Sequence, residues 1–315
     1  ATSDHPRITT LTSTTLTALE GVPGDLSAAR FRAAVHRAPR LVDPDLCDEC
    51  GVCAEVCRVA RAEVGGRASA QWGRSFLGEQ ERPKAIYRAP DRAEPRGYVI
   101  DPQACTRCGA CQAVCPRGAI DLKRQGGDDV LDVAAVVLAP GFEPFDATRA
   151  YEYGWGRCAN VVTSLELERM LNRSGPTKGR VVRPSDGRVP RRVAFVQCVG
   201  SRSEALGRPY CSSACCMITA KQVGLCNESV PETELTVFTM DVRAAGKGYE
   251  RYYQRVADLP GVTYRWSRPA AVHELPESRD LRLLTPDGEE VVDLLVLAVG
   301  LGPGDAAAAL ATAAG

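Results

Sequence analysis

Cys47, Cys50, Cys53 and Cys57 follow one another as C-x2-C-x2-C-x3-C, and Cys105, Cys108, Cys111 and Cys115 repeat the pattern, with Pro116 behind the last. Three thiolates on one tight loop can reach three corners of a 4Fe–4S cubane. The fourth cysteine, at the start of a short helix, points toward a second one. The spacing therefore predicts two crossed ligand sets, Cys47, Cys50, Cys53 and Cys115 on one cluster and Cys105, Cys108, Cys111 and Cys57 on the other. Gly51 and Gly109 follow the second cysteine of each motif. Without a Cβ they let the loop backbone approach inorganic sulfide and donate N–H bonds to it. A pair of zinc sites is the plainer alternative, but zinc usually takes C-x2-C pairs set further apart than these quartets.

The flanks repeat as well. Residues 40–44 and 98–102 each read as a short strand ending in Asp-Pro, and Cys105 follows Cys47 by 58 positions. After the second motif, residues 118–121 predict a turn and a return strand. Arg58 stands where such a first motif often carries proline, and its charge would raise a cluster's potential if it faced inward. The long insert at 61–97 exceeds what a compact two-cluster module needs and is expected to pack on a neighbouring domain or subunit.

A second group, Cys198, Cys211, Cys215 and Cys216, is spaced C-x12-C-x3-C-C. Cys198 ends an apolar run at 193–197. A helix is expected to start at 210–213 with Ser212 or Ser213 as its cap, placing Cys211 and Cys215 on one face of the first turn. The dipole there favours thiolates. Spacing alone leaves a third cluster, a redox dithiol at Cys215 and Cys216, and a buried structural pair all open. Cys158 and Cys226 stand alone and read as small buried residues.

Beyond the cysteines, residues 130–139 and 291–300 each read as an apolar strand running into glycine, at Gly141-Phe142 and at Gly300. Such ends are where two-dinucleotide flavoproteins bring the chain close to FAD. Strand-like 235–239, 262–266 and 281–284 alternate with a helix at 248–259, predicting an α/β domain. No G-x-G-x-x-G occurs, which disfavours a nicotinamide site. The Gly246-Lys247-Gly248 turn is too short for a phosphate loop, and His5, His36 and His273 are scattered. No acid–base or nucleophilic constellation emerges.

Composition narrows the classes further. Lys plus Arg total 39 against 39 Asp plus Glu, so there is no basic field for nucleic acid or membrane. Apolar residues are 44% and charged residues 25%, ordinary for a globular chain. No apolar run reaches the ~18 residues of a membrane span, and the Thr-rich start does not read as a signal peptide. Fourteen cysteines, most of them at metal-ligand spacing, without an export signal suit a reducing compartment, the cytoplasm.

Several stretches together carry a specific resemblance over roughly residues 30–310: Asn160 to Thr163, Glu168 to Leu171, Gly175-Pro176-Thr177, Arg183 to Gly187, Val193 to Arg202, Tyr210 to Lys221, Met240 to Arg243 and Gly246 to Glu250. With the inserted cysteine repeat, they resemble the A-subunit of heterodisulfide reductase and its relatives. That resemblance implies a thioredoxin-reductase-like FAD core, α/β in class, carrying an inserted α+β two-cluster ferredoxin domain. It implies [4Fe–4S] clusters and FAD as cofactors, Cys198, Cys211, Cys215 and Cys216 as ligands of a third cluster, and Gly141, Phe142 and Gly300 near flavin. It also implies partner redox subunits in a cytoplasmic complex, some members taking part in flavin-based electron bifurcation. On this reading residues 1–40 end an upstream flavin half, 41–125 are the ferredoxin domain and 126–190 return to the flavin domain. Residues 191–300 form a second α/β domain and 301–315 a truncated tail. The family's Gly-rich FAD loop and C-terminal FAD strand are expected outside this sequence, and Pro140 stands where related flavoproteins commonly carry Thr. A stand-alone ferredoxin-type carrier with a non-catalytic docking domain, and a disulfide-reducing enzyme using Cys215 and Cys216, are the competing functional readings.

Overall fold

The computed structural model describes residues 5–22, 30–59, 84–89, 95–173 and 175–314. The chain divides into two units, one built from residues 1–64, 81–141 and 303–315 and the other from 65–80 and 142–302.

In the first unit, β1 (Thr14–Val22), β2 (Arg30–Arg37) and β5 (Gly127–Val133) form an antiparallel sheet in the order β1-β2-β5. Phe31 pairs with Val133 and Arg37 with Gly127. The whole cysteine repeat thus leaves and returns between two neighbouring strands. It contains α1 (Val52–Val56), β3 (Ile86–Arg88), β4 (Tyr98–Ile100) and α2 (Ala110–Val114). β3 pairs antiparallel with β4, Ile86 opposite Ile100. The expected strand at 40–42 is reduced to one bridge, Val42 to Ile120. Leu41, Val42, Ile86, Ile100, Ala119, Ile120 and Leu122 close a small core around the cysteines. The insert contributes β3, but its residues 60–83 and 90–94 lie outside those described, and with them the expected packing on a neighbour.

The apolar run at 130–139 does not become a buried strand. β5 stops at Val133, and beyond it Val137 is 90% exposed. Its register is set by β2, an antiparallel neighbour with one open face, so apolar content alone misjudged its burial.

In the second unit, β7 (Val161–Thr163), β8 (Arg192–Val199), β9 (Glu234–Phe238), β10 (Val262–Arg265) and β14 (Leu294–Val299) form a parallel sheet in the order β10-β9-β8-β14-β7. β6 (Glu143–Pro144) pairs antiparallel with β15 (Leu301–Gly302), and β11 (Ala271–Glu274), β12 (Leu281–Thr285) and β13 (Gly288–Val292) make a separate antiparallel meander. Alternate residues of the sheet face opposite ways. Ala194, Val196, Leu295 and Leu297 pack with Leu281, Leu283 and Val292 of the meander. Val193, Phe195, Leu294 and Val296 pack against the helices α3 (Ser164–Leu171), α4 (Cys215–Ser229) and α5 (Tyr249–Ala257) through residues such as Leu167, Val223 and Val256. Meander, parallel sheet and helices form three layers, which explains why β14 is buried from end to end.

Three expectations shift here. β7 and α3 belong to this sheet and its helical layer, so the α/β unit begins well before the expected boundary at residue 191. The single apolar strand expected at 291–300 is two, β13 and β14, broken at Asp293. The Asp293 carboxylate accepts from the backbone N–H of Arg191 at 2.6 Å and of Arg192 at 3.1 Å, and from the Arg192 guanidinium at 3.2 Å. A buried carboxylate so satisfied turns the chain from meander to sheet. And α4 begins at Cys215 behind Ala214, not at Ser212 or Ser213, because Ser213 takes a left-handed φ of 56° that no helix accepts.

Candidate metal centres

Each cysteine loop of the first unit is built the same way. Asp43 and Asp101 accept the N–H of Cys47 and Cys105 on their carbonyls, at 3.1 and 2.9 Å. Their side chains accept from Asp45 N at 3.0 Å and Gln103 N at 2.9 Å. The repeated Asp-Pro is therefore an Asx turn that launches each loop. Glu49 and Arg107, ahead of the second cysteines, hold φ of 61° and 54°. Gly51 and Gly109 take φ of 87° and 82° at the caps of α1 and α2. Such conformations cost non-glycine residues energy and turn the loop backbone inward. Cys57 and Cys115 end those five-residue helices; the expectation that they start one is corrected.

Two cavities result. One is lined by Cys47, Cys50, Cys53 and Cys115 with Asp48, Tyr98 and Arg117. The other is lined by Cys57, Cys105, Cys108 and Cys111 with Val59, Ala85, Ile86, Ile100 and Leu122. The structure thus gathers the eight cysteines in the crossed sets. Arg58 is exposed and absent from that lining, so it does not face inward. Burial pushes the Cys53 thiol up to about 11, and the neighbouring sulfurs of Cys47 and Cys50 add to the shift. Cys111 is raised for the same reasons, burial first and then Cys105. Crowded sulfurs that resist ionising alone are what a cationic core relieves. Among the described residues no group of three or more His, Cys, Asp and Glu gathers around a single-ion position. Four sulfurs gathered on one pocket are the donor set of a cubane.

Two residues at these sites carry no mark in the cysteine spacing. Tyr98 lines the first cavity with its hydroxyl close over Gly51. Lys84 donates from Nζ to the carbonyls of Ala54 at 2.6 Å and Glu55 at 3.3 Å, capping the end of α1 beside Cys57.

In the second unit Cys198, Cys215 and Cys216 are buried together with Ala298 and half-buried Val242. Cys211 precedes α4 and shares no helical turn with Cys215, contrary to expectation. Instead its loop repeats the geometry of the first unit. Ser213 N donates to Cys211 Sγ at 3.3 Å with φ 56°, as Arg107 N donates to Cys105 Sγ at 3.3 Å with φ 54°. Cys198 and Arg202 also hold positive φ, 59° and 56°. Hydrogen bonds from the Cys198 and Cys216 thiols hold the Cys215 thiol far below its ordinary value. The hydrogen bonds that Cys198 and Cys216 make to Cys215, and then burial, drive both of those thiols up. The three sulfurs are close enough to share one negative charge, and the donor set and its loop fit a cluster. All 14 cysteines are free, Cys215 and Cys216 included.

Of the residues expected near flavin, Gly141 takes φ 77° and Phe142 is 57% exposed. Gly300 is pinned in the backbone. Its N–H donates to Val199 O at 2.7 Å and its carbonyl accepts from Phe145 N at 2.8 Å. A Cβ there would lie 2.8 Å from Gly200 O. That packing accounts for the glycine by itself. Cys226 and Cys158 are buried as expected, and burial pushes Cys226 up to about 12.

The 4Fe–4S dicluster domain family matches residues 46–119. The iron–sulfur A-subunit of the CoB–CoM heterodisulfide reductase of Methanocaldococcus jannaschii is 41% identical over 307 residues, 96% of this chain and 44% of that protein. The A-subunit of the H2:CoB–CoM heterodisulfide,ferredoxin reductase of Methanothermobacter thermautotrophicus is 38% identical over 305 residues, 95% of this chain and 44% of its own length. The chain spans under half the length of these relatives. Over nearly all of its own length, the chain is similar to the A-subunits of heterodisulfide reductases.

Proposed function

We propose that this chain is the cluster-bearing electron relay of an iron–sulfur flavoprotein oxidoreductase. The observation that carries the reading is the crossed gathering of eight cysteine sulfurs in two cavities. Each 4Fe–4S cluster, when bound, takes up and releases one electron at a time. The chain's own residues hold and tune these sites. Cys47, Cys50, Cys53 and Cys115 would hold one cluster, Cys57, Cys105, Cys108 and Cys111 the second, and Cys198, Cys211, Cys215 and Cys216 the third. Val59, Ala85, Ile86, Ile100 and Leu122 exclude water from the second site, while Tyr98, Asp48 and Arg117 make the first more polar.

The wider role follows the relatives. Residues 41–125 act as an inserted ferredoxin domain, and Gly141, Phe142 and Gly300 are assigned to the flavin side of the whole protein. There FAD supplies exchange between two-electron and one-electron chemistry. Other redox subunits, as expected from relatives named as one component of a larger enzyme, complete a heterodisulfide-reducing complex in the cytoplasm. No helix among the described residues is long and apolar enough to cross a membrane.

Stepwise anaerobic reduction tests the reading. The reconstituted chain is expected to accept about three electrons, one per cubane, and about two more if it retains FAD. Uptake of none overturns the relay.

A further inference from the structure

The strand β8 is apolar along its buried length except at Gln197, which is 1% exposed. A polar side chain held inside a parallel sheet must find partners. The amide end placed as Oε1 lies 2.7 Å from Thr239 Oγ1 and 3.7 Å from Cys216 Sγ, and which end of an amide is oxygen and which nitrogen is decided by its partners. Thr239 Oγ1 also lies 2.7 Å from the carbonyl of Asp241. A hydroxyl has one proton to donate, and a carbonyl can only accept. Thr239 therefore donates to Asp241 and must accept from Gln197, so the amide end facing it is the NH2. With the amide turned the other way, Nε2 and both its protons would be buried without a partner. The NH2 has two protons. Thr239 takes one, and the second points to the remaining neighbour, Cys216 Sγ. A thiolate bound to metal has no proton of its own to give and accepts that one.

We propose that Gln197 is a positioning residue of the third site, its amide donating an N–H···S bond to the Cys216 thiolate and raising the potential of the cluster held there. The inference rests on the assignment of Cys198, Cys211, Cys215 and Cys216 as ligands. Reduction adds negative charge at the ligand sulfurs, and a fixed donor stabilises the reduced form more than the oxidised one. Thr239 and the Asp241 carbonyl serve to hold the amide in that orientation.

The test uses the reconstituted chain, with iron counted first. A wild-type chain holding only two clusters refutes the ligand assignment, and the inference falls with it before any variant is made. With three clusters present, Gln197→Leu and Gln197→Glu are followed by potentiometric EPR, the two clusters of residues 46–119 serving as internal reference. Both variants are expected to keep their iron and to lower the third cluster's reduction constant about threefold to tenfold, roughly 30 to 60 mV for a one-electron step. Thr239→Val should shift it the same way by less. In protein labelled with 15N-glutamine, pulsed EPR should show a nitrogen coupled to the reduced third cluster that is absent in Gln197→Leu. An unmoved potential in iron-replete Gln197→Leu and Gln197→Glu overturns the proposal. If both variants lose the cluster, the wild-type nitrogen coupling decides: its presence supports the bond and its absence refutes it.

Discussion

Cys57 and Cys115 each sit one residue beyond a five-residue helix, and that placement carries each sulfur out of its own loop and into the other repeat's cavity. The crossing makes a sharp prediction for serine substitutions. Cys115→Ser should disturb the same EPR signal as Cys53→Ser, and Cys57→Ser the same signal as Cys111→Ser, each with loss of about one to four iron atoms from that cubane. A Cys115→Ser variant that disturbs the signal affected by Cys111→Ser would show that the repeats do not exchange ligands. The gathering of these cysteines was legible because spacing along a tight loop dictates which sulfurs can meet. Tyr98, Lys84 and Gln197 were not, since each reaches its site from a different strand or loop and no local spacing marks it. Gln197 did leave one trace, a lone amide in an otherwise apolar run, which in a buried strand asks for a reason.

At the level of elements, the turn after β8, which follows Cys198, depends on Gly200. It holds φ 70°, and a Cβ there would come within 1.9 Å of the Phe145 ring. Gly200→Ala is therefore expected to destabilise the second unit by about 1–3 kcal/mol through overpacking alone, read as a fall in apparent unfolding temperature by calorimetry. An unchanged temperature would mean that Phe145 yields without cost. β8, β9, β10 and the helix at 249–257 were readable from their apolar runs and alternation, whereas the short β7 was not. The failures share a cause. Residues 130–139 and 291–300 were judged by apolar content, but neighbours settled their fate. β2 fixes β5 in an antiparallel sheet with an open face, and the hydrogen bonds of Asp293 divide the second run. The start of α4 was misread because serine is a good cap in general, whereas Ser213 here spends its N–H on Cys211 Sγ.

For the whole molecule, three cysteine groups fall in two units, as the proposed one-electron relay requires. Eight cysteines lie in the first unit and Cys198, Cys211, Cys215 and Cys216 in the second. The recurrence of one N–H···S loop, at Arg107 and Cys105 and again at Ser213 and Cys211, links sites whose spacings along the sequence look unrelated. The direct test is the iron and acid-labile sulfide content per chain after anaerobic reconstitution. The account predicts about 12 of each, four for each of three cubanes, with Cys198, Cys211, Cys215 and Cys216 protected from alkylation. About eight, with those four cysteines reactive, would contradict the third site. Zinc in place of iron would contradict the relay itself.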